Sequence, residues 1–368
     1  MRIASYNVEN LFNRARALNG DMNAGVNPVL DHFSELNALI DKPNYSATDK
    51  SRMLVLLKAL DLEKSDTGEF VLLRQNRGRF VKRPRGGGIE VIANGRTDWL
   101  GWIELRTEAV NERAMLHTAD VVRDVNADVF AAIEAENRVA LKRFNDTLLQ
   151  GEGGMPYRHI MLIDGNDERG IDVGLMTRDG FAIGNIRSHV DDLKPDGEPI
   201  FSRDCPEFAI TTPQGNTLWL LVNHFKSKVG DQRVSGAKRK AQAERVGEIY
   251  AMLRGVGEAH VVIAGDLNDT PNSTPLARLL STDLKDVSTL PNFDDGGFPG
   301  TYGGSTAGNK IDYILLSPAL QQRVTGGGIF RKGMWPGVRP KKWDVYPTLT
   351  KEVEAASDHG AIYVDLNF

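Results

Sequence analysis

An α/β fold is expected from two features of the chain. Short apolar runs, of strand length and too short for helices, recur through it, the clearest being Val261, Val262, Ile263 and Ala264. Stretches with helical spacing of apolar positions lie between them, and residues 111–134 read as a helix followed at once by a buried strand. At 368 residues the chain suits one large domain or two smaller ones. Its 41% hydrophobic and 26% charged residues are ordinary for a globular protein. A net charge of −4 exerts no global pull on polyanions, so nucleic-acid binding would need local basic patches.

Taken in order, residues 2–8 read as a strand that ends near Asn7, a poor strand former. Residues 13–45 are rich in Asn, Asp, Gly and Pro and read as loop, and residues 47–62 as helix. Residues 69–105 read as strands and hairpins. Within them, Arg74, Arg77, Arg79, Lys82, Arg83, Arg85 and Arg96 face only Glu90 and Asp98 over residues 74–98, with Phe80, Trp99 and Trp102 close by. Such a basic hairpin suits a nucleic-acid backbone or solvent equally. After the helix at 111–126, the strand at 128–134 delivers Glu134, and Glu136 would point the same way if the strand persisted.

Residues 138–150 read as helix, 157–163 and 172–176 as strands, and 164–170 as a polar turn between them. Residues 208–212 and 218–223 form an expected hairpin whose second strand runs into His224, Lys226 and Lys228. A helix is expected at 238–253, with basic residues in its first turn facing an anion or solvent. The strand at 261–264 ends in Gly265, and alternation would place Asp266 and Asn268 on one side. A short helix at 275–280 and a Gly-rich loop at 291–310 follow. Asp312 lies inside the strand at 310–316, where a carboxylate needs a partner. Residues 331–343 combine Arg331, Lys332, Arg339, Lys341 and Lys342 with Trp335 and Trp343, and Asp358 and His359 precede a closing strand.

Cys205 is the only cysteine, which excludes an intramolecular disulfide and fits a reducing compartment. No leader and no bilayer-length apolar run occur, so a cytoplasmic location is expected for the chain as numbered, with secretion or a periplasmic location open if a leader was removed. No membrane partner and no obligate protein partner are expected.

Strand ends thus deliver Asn7, Glu134, His224, Asp266, Asn268, Asp312, Asp358 and His359. Oxygen donors without cysteine suit Mg²⁺, Mn²⁺ or Ca²⁺ rather than structural zinc. Two histidines add acid–base or anion-stabilising capacity. Metal-assisted hydrolysis of a phosphate ester uses these parts together. A P-loop motif is absent.

The motifs Ser5-Tyr-Asn-Val-Glu-Asn-Leu-Phe12, Asp128-Val-Phe-Ala-Ala-Ile-Glu-Ala-Glu-Asn137, Val222-Asn-His-Phe-Lys-Ser-Lys228, Ala264-Gly-Asp-Leu-Asn-Asp269, Lys310-Ile-Asp-Tyr-Ile-Leu315 and Ser357-Asp-His359 occur in this order. They resemble the endonuclease/exonuclease/phosphatase superfamily, and most of all its bacterial nuclease branch, related to pancreatic deoxyribonuclease. The resemblance implies a four-layer sandwich in which two packed, mostly antiparallel β-sheets are flanked by helices. It makes the chain a single domain over 1–368, with an insertion at about 13–110 that carries the basic hairpin. It also implies that Asn7 and Glu134 bind a divalent metal with Asp358 close by. Asp266 would activate the attacking water, and Asn268 would hold that water or a phosphate oxygen, both near enough to serve as metal ligands. His359 would stabilise phosphoryl charge with its tautomer set by Asp312, and His224 would contact the phosphate. Phe201-Ser-Arg203-Asp204 resembles a DNA-backbone contact, so Arg203 joins Lys226 and Lys228 as a substrate-binding candidate.

One departure is Ile133, where the family usually has a Gln before the metal-binding Glu; it removes a polar group from behind that ligand. The expected activity is that of a divalent-metal-dependent nuclease cleaving DNA, with RNA as a second candidate, supported by basic stretches at 74–85, 226–240 and 331–342. The alternatives are a phosphatase or phosphodiesterase acting on phospholipid or small phosphate esters, and a non-enzymatic binding module. The last predicts decayed metal ligands, and none is decayed.

Overall fold

A computed structural model describes residues 1–9, 11–18, 28–150, 156–167, 169–228, 231–337 and 342–368. The chain forms two compact units, one of Met1–Phe12 with Val110–Phe368 and one of Asn13–Ala109.

The larger unit is built on two sheets. In the first, the strands run in the order Phe293–Asp294, Val324–Phe330, Ala361–Leu366, Arg2–Asn7, Val129–Ala135, Asp172–Thr177 and His159–Ile163. In the second, the order is Ala182–Arg187, Glu207–Thr211, Thr217–His224, Val261–Asp266, Asp312–Leu316 and Lys285–Asp286. Most neighbours are antiparallel. Arg2–Asn7 with Val129–Ala135, Thr217–His224 with Val261–Asp266, and the short Phe293–Asp294 with Val324–Phe330 are parallel pairs. The second parallel pair is joined through the helix Gln232–Gly255, the crossover that parallel neighbours require.

Period-two side-chain alternation makes the layers. Ile3, Val129, Ala131, Ile133, Leu220, Val222, Val262, Ala264, Ile314, Ile362 and Val364 share one buried core between the sheets. The opposite face of the first sheet, with Ala4, Tyr6, Phe130 and Ala132, packs with Val121, Val122, Leu141 and Phe144 of the helices Glu112–Val125 and Arg138–Leu148. The opposite face of the second sheet, with Val261, Ile263, Tyr313 and Leu315, packs with Val246, Ile249 and Leu253 of the Gln232–Gly255 helix. Helix, sheet, sheet and helix are the four layers expected.

The smaller unit has its own core, in which Phe33, Leu36, Leu56, Leu57, Phe80 and Trp99 are buried and the Phe80 and Trp99 rings stack at 4.6 Å. Its hairpins pair Val71–Arg77 with Leu100–Leu105 and Val81–Lys82 with Glu90–Val91. The helix Ala47–Ala59 opens on a capping box between Ser46 and Asp49.

Four local expectations need correction. Within the stretch expected to be loop at 13–45, residues Pro28–Ile40 form a helix that buries Phe33, Leu36 and Ile40, a helical spacing hidden by polar flanks. The strand Ala182–Arg187 was not anticipated; it is an edge strand with no buried residue and therefore carries no apolar run. The helix expected from Lys238 begins at Gln232, with Asp231 as its N-cap. Lys238, Arg239 and Lys240 thus lie beyond the first turn, and buried Arg239 pairs with Asp269 at 2.9 Å rather than facing an anion. The basic loop at 331–343 is also less open than its sequence suggests. The Arg331 guanidinium is buried and donates to the carbonyls of Asp295, Phe298 and Gly300. Arg339 and Lys341 lie outside the described residues.

Candidate active site

The inter-sheet face of several strands changes from apolar to polar at one end. Val262 and Ala264 face the inter-sheet core, and Asp266 is next in the same alternation. Leu220 and Val222 lead in the same way to His224, and Ile314 leads back to Asp312. His224 pairs in register with Asp266, and Asp266 with Asp312. Asn7 ends the central strand of the first sheet. Gly265 makes the approach possible. Its φ is +139°, and a Cβ there would lie 1.8 Å from the Asn223 carbonyl oxygen, so only glycine fits.

Glu134 arrives differently. Ile133 pairs with Val173 and Ala135 with Asp172, which leaves Glu134 as the extra residue of a β-bulge, at a φ of +65°. The bulge breaks the alternation and turns the Glu134 carboxylate toward His224, with Oε1 3.4 Å from Nε2. Glu136 does not share that direction; its carboxylate accepts the backbone N–H groups of Leu11 and Phe12 at 3.1 and 2.6 Å. Asn268 also departs from simple alternation. The strand ends at Asp266, and Asn268 turns back with a φ of +52°. Its backbone N–H and side-chain amide donate to the two Asp266 oxygens at 2.8 and 3.0 Å, and the amide also donates to the Phe225 carbonyl at 3.1 Å.

Asp266 is the hub. Its Oδ2 lies 3.5 Å from the Asn7 amide nitrogen, 3.6 Å from His224 Nε2 and 4.0 Å from His359 Nε2. His359 Nδ1 bonds Asp312 Oδ2 at 2.8 Å, and its Nε2 lies 3.6 Å from Asp358 Oδ1. Ligand atoms of Asp266, Asp312 and His359 fall within 4.8 Å of one another. The structure therefore brings Asn7, Glu134, His224, Asp266, Asn268, Asp312, Asp358 and His359 into one site. Ile133 sits in the apolar inter-sheet core.

Burial and crowding set the charges. Burial, then the neighbouring Asp312, raises the Asp266 carboxyl above the ordinary carboxylate range. Burial and Glu9 do the same to Asp358. Burial opposes charge on His359, but Asp312 and Asp358 outweigh it and hold the imidazole protonated. His224 is driven the other way, toward the neutral form, by burial and then by Arg203 and Arg169. Buried carboxylates that repel one another, with amide and imidazole donors beside them and no thiolate, fit a hard divalent cation.

Of the substrate-binding candidates, Arg203 is 1% exposed, with Nε 3.0 Å from Asp167 Oδ2. Lys226 is half-buried, and burial lowers its pKa. Lys228 is exposed and pairs with Asp269 at 3.0 Å. The sequence reading passed over Arg169, Asp167, Asp269 and Tyr302. The last places its ring 4.9 Å from that of His359. An acid and a base two residues apart, Asp167 and Arg169, just ahead of a buried strand, were the available signal.

Two packed sheets with oxygen donors and imidazoles gathered where their strands end define a class of fold and site, that of the deoxyribonuclease-I-like hydrolases. A family profile described as Endonuclease/Exonuclease/phosphatase family matches residues 93–319, and the chain belongs to that family. Its members hydrolyse phosphate esters and usually employ divalent metals. A search of curated proteins found no match. Solved structures share the fold. A mannosyl-6-phosphatase of Bacteroides thetaiotaomicron is 19% identical with a TM-score of 0.51, over 70% of this chain and 92% of its own. An endonuclease/exonuclease/phosphatase protein of Bacteroides vulgatus is 16% identical with a TM-score of 0.50, over 70% of this chain and 91% of its own. Among the described residues, no helix is long and apolar enough to cross a membrane.

Proposed function

We propose that this protein is a divalent-metal-dependent nuclease that hydrolyses the phosphodiester bonds of DNA, with RNA as a second candidate substrate. The observation that carries the reading is the set of exposed cations Arg77, Arg79, Lys82 and Arg85 in the smaller unit, none in an ion pair among the described residues. Unpaired Lys and Arg side chains supply phosphate-backbone affinity, which a small phosphate ester does not need.

In this reading Asn7, Glu134 and Asp358 would hold the cation, and Asp266 and Asn268 could add oxygen donors to it. The bound cation supplies charge neutralisation for the phosphate. Asp266 takes the proton of the attacking water, a role suited to a carboxylate whose affinity for protons is raised by burial and Asp312. Asn268 fixes the Asp266 carboxylate through two hydrogen bonds and orients the water. Protonated His359, held by Asp312, stabilises charge on the phosphoryl oxygens. Neutral His224 donates a hydrogen bond to the phosphate, while Arg203, Lys226 and Lys228 supply positive charge on the substrate side.

Hydrolysis of a small phosphate ester is the second reading, favoured by the structural likeness to a mannosyl-6-phosphatase. The test is a panel of supercoiled plasmid, single-stranded DNA, RNA, a sugar phosphate and phospholipid vesicles, each with Mg²⁺, Mn²⁺ or Ca²⁺. Metal-dependent nicking of plasmid that EDTA abolishes is the expected result. Turnover of the sugar phosphate or phospholipid with no polynucleotide cleavage would overturn the nuclease reading.

A further inference from the structure

Arg169 and Arg203 share one carboxylate. Arg169 donates to Asp167 from Nε at 2.9 Å, from Nη2 at 2.7 Å and from its backbone N–H at 3.0 Å. The second Asp167 oxygen is also 3.0 Å from Arg203 Nε. With Glu134 the next carboxylate to act on both, two guanidiniums on one carboxylate leave a positive charge that Asp167 alone does not neutralise. It is nearly dry, with side chains 18% (Arg169), 1% (Arg203) and 9% (Asp167) exposed. A buried excess charge is costly to keep unless an anion meets it.

The turn that carries Arg169 is docked firmly. Asn166 Nδ2 donates to the carbonyls of Val190 at 2.8 Å and Phe201 at 3.2 Å. A Cβ on Gly165 would lie 2.7 Å from Arg203 Cα, so glycine is needed for this contact. Arg203 in turn reaches the site, since its Nη1 donates at 3.3 Å to the Phe225 carbonyl that also accepts the Asn268 amide. Asn268 holds Asp266. Both arginines act electrostatically on His224 and Lys226, and Glu134 acts on both arginines. Arg169 is the more exposed of the two, and its Nη1 has no partner among the described residues.

We propose that Arg169 binds the substrate phosphate directly, donating from its outer guanidinium nitrogen to a non-bridging oxygen. Asp167 is the positioning residue that fixes its plane, and Arg203 is the cation behind it. The inference rests on the proposed function only in that the site takes a phosphate ester, and it holds for a diester or a monoester alike. A bidentate carboxylate grip on one edge of a guanidinium leaves the remaining nitrogen aimed, a geometry lysine cannot reproduce.

The test is calorimetric titration of the Mg²⁺-loaded full chain with inorganic phosphate, alongside KM and kcat for bis(p-nitrophenyl) phosphate. R169A is expected to weaken phosphate binding about tenfold and to raise KM more than it lowers kcat, as loss of a ground-state contact should. R169K is expected to lose most of that affinity despite keeping the charge, and D167N to lose part of it. Phosphate affinity within twofold of the parent in folded R169A would overturn the proposal, and R169K decides by the same threshold if R169A does not fold. Because phosphate itself is the probe, a protein that cut no polynucleotide would sink the nuclease reading and leave this result standing.

Discussion

Arg203, Asp266, Asp312 and His359 of the larger unit are almost fully buried, whereas Arg77, Arg79, Lys82 and Arg85 of the smaller unit are exposed. The two groups hold charge under different physical rules. Buried groups must be satisfied by one another, so each perturbs its neighbours: Asp266 is raised by burial and then by Asp312, and His224 is driven neutral by burial and then by Arg203. Exposed groups are screened by water. The Arg74–Glu104 pair at 2.8 Å, with side chains 49% and 36% exposed, is of a kind that contributes only about 0–1 kcal/mol. A charge cluster buried at strand ends therefore bears on the chemistry of the site, whereas one exposed on a hairpin bears on salt-screened affinity for a polyanion.

Substitution at the hub should break the comparison most sharply. D266N is expected to lower hydrolysis by on the order of 10²–10⁴-fold, the range for losing a positioned acid–base group. It should at the same time raise the melting temperature of the metal-free protein, because a carboxylate whose pKa folding has raised is destabilising in its ionised form. Activity assays beside thermal melts in EDTA read both effects. A lower metal-free melting temperature would show that the buried carboxylates are satisfied without a cation.

A second charge cluster, centred on buried His189 and Glu207, sharpens the contrast. His189 bonds Asp192 through Nδ1 at 2.9 Å and Glu207 through Nε2 at 2.6 Å, with Arg245 on Asp192 and Arg187 3.8 Å from Glu207. Burial disfavours the imidazolium, but its bonds to Glu207 and Asp192 outweigh burial and raise its pKa. This contribution is complete below the ordinary value of 6.5 and is lost as pH rises through the higher folded value. H189A is expected to cost about 3 kcal/mol below that window and less above it. Urea midpoints from pH 6 to 9 measure this, and parallel curves for the two proteins would refute it.

The smallest stability effect belongs to the exposed cations. Replacing Arg77, Arg79, Lys82 and Arg85 with serine should change stability by less than about 0.5 kcal/mol per site. It should flatten the salt dependence of DNA binding by about 0.9 in log–log slope for each phosphate contact removed. Turnover of bis(p-nitrophenyl) phosphate should be unchanged. An unchanged salt slope, measured by fluorescence anisotropy, would remove the hairpin from the nucleic-acid reading.

Much of this molecule was written along its chain. The strands at 2–8, 128–134 and 261–264 were legible because apolar residues dense enough to be buried on both faces leave a local signature. Asp266 and Asp312 were legible because a polar side chain at the end of such a run stands out. The helix Pro28–Ile40 was hidden by its polar flanks, and the edge strand Ala182–Arg187 by its exposure. Contacts between distant segments decided the rest. Glu134 turns into the site because the register of Asp172–Thr177 leaves it unpaired, and no property of residues 128–134 alone encodes that register. Asp167 joins Arg169 to Arg203 only because a glycine turn lets segments some 35 residues apart touch. Side-chain chemistry is local and can be read in order, whereas the aim of a charge depends on which strands become neighbours and on what burial then forces it to face.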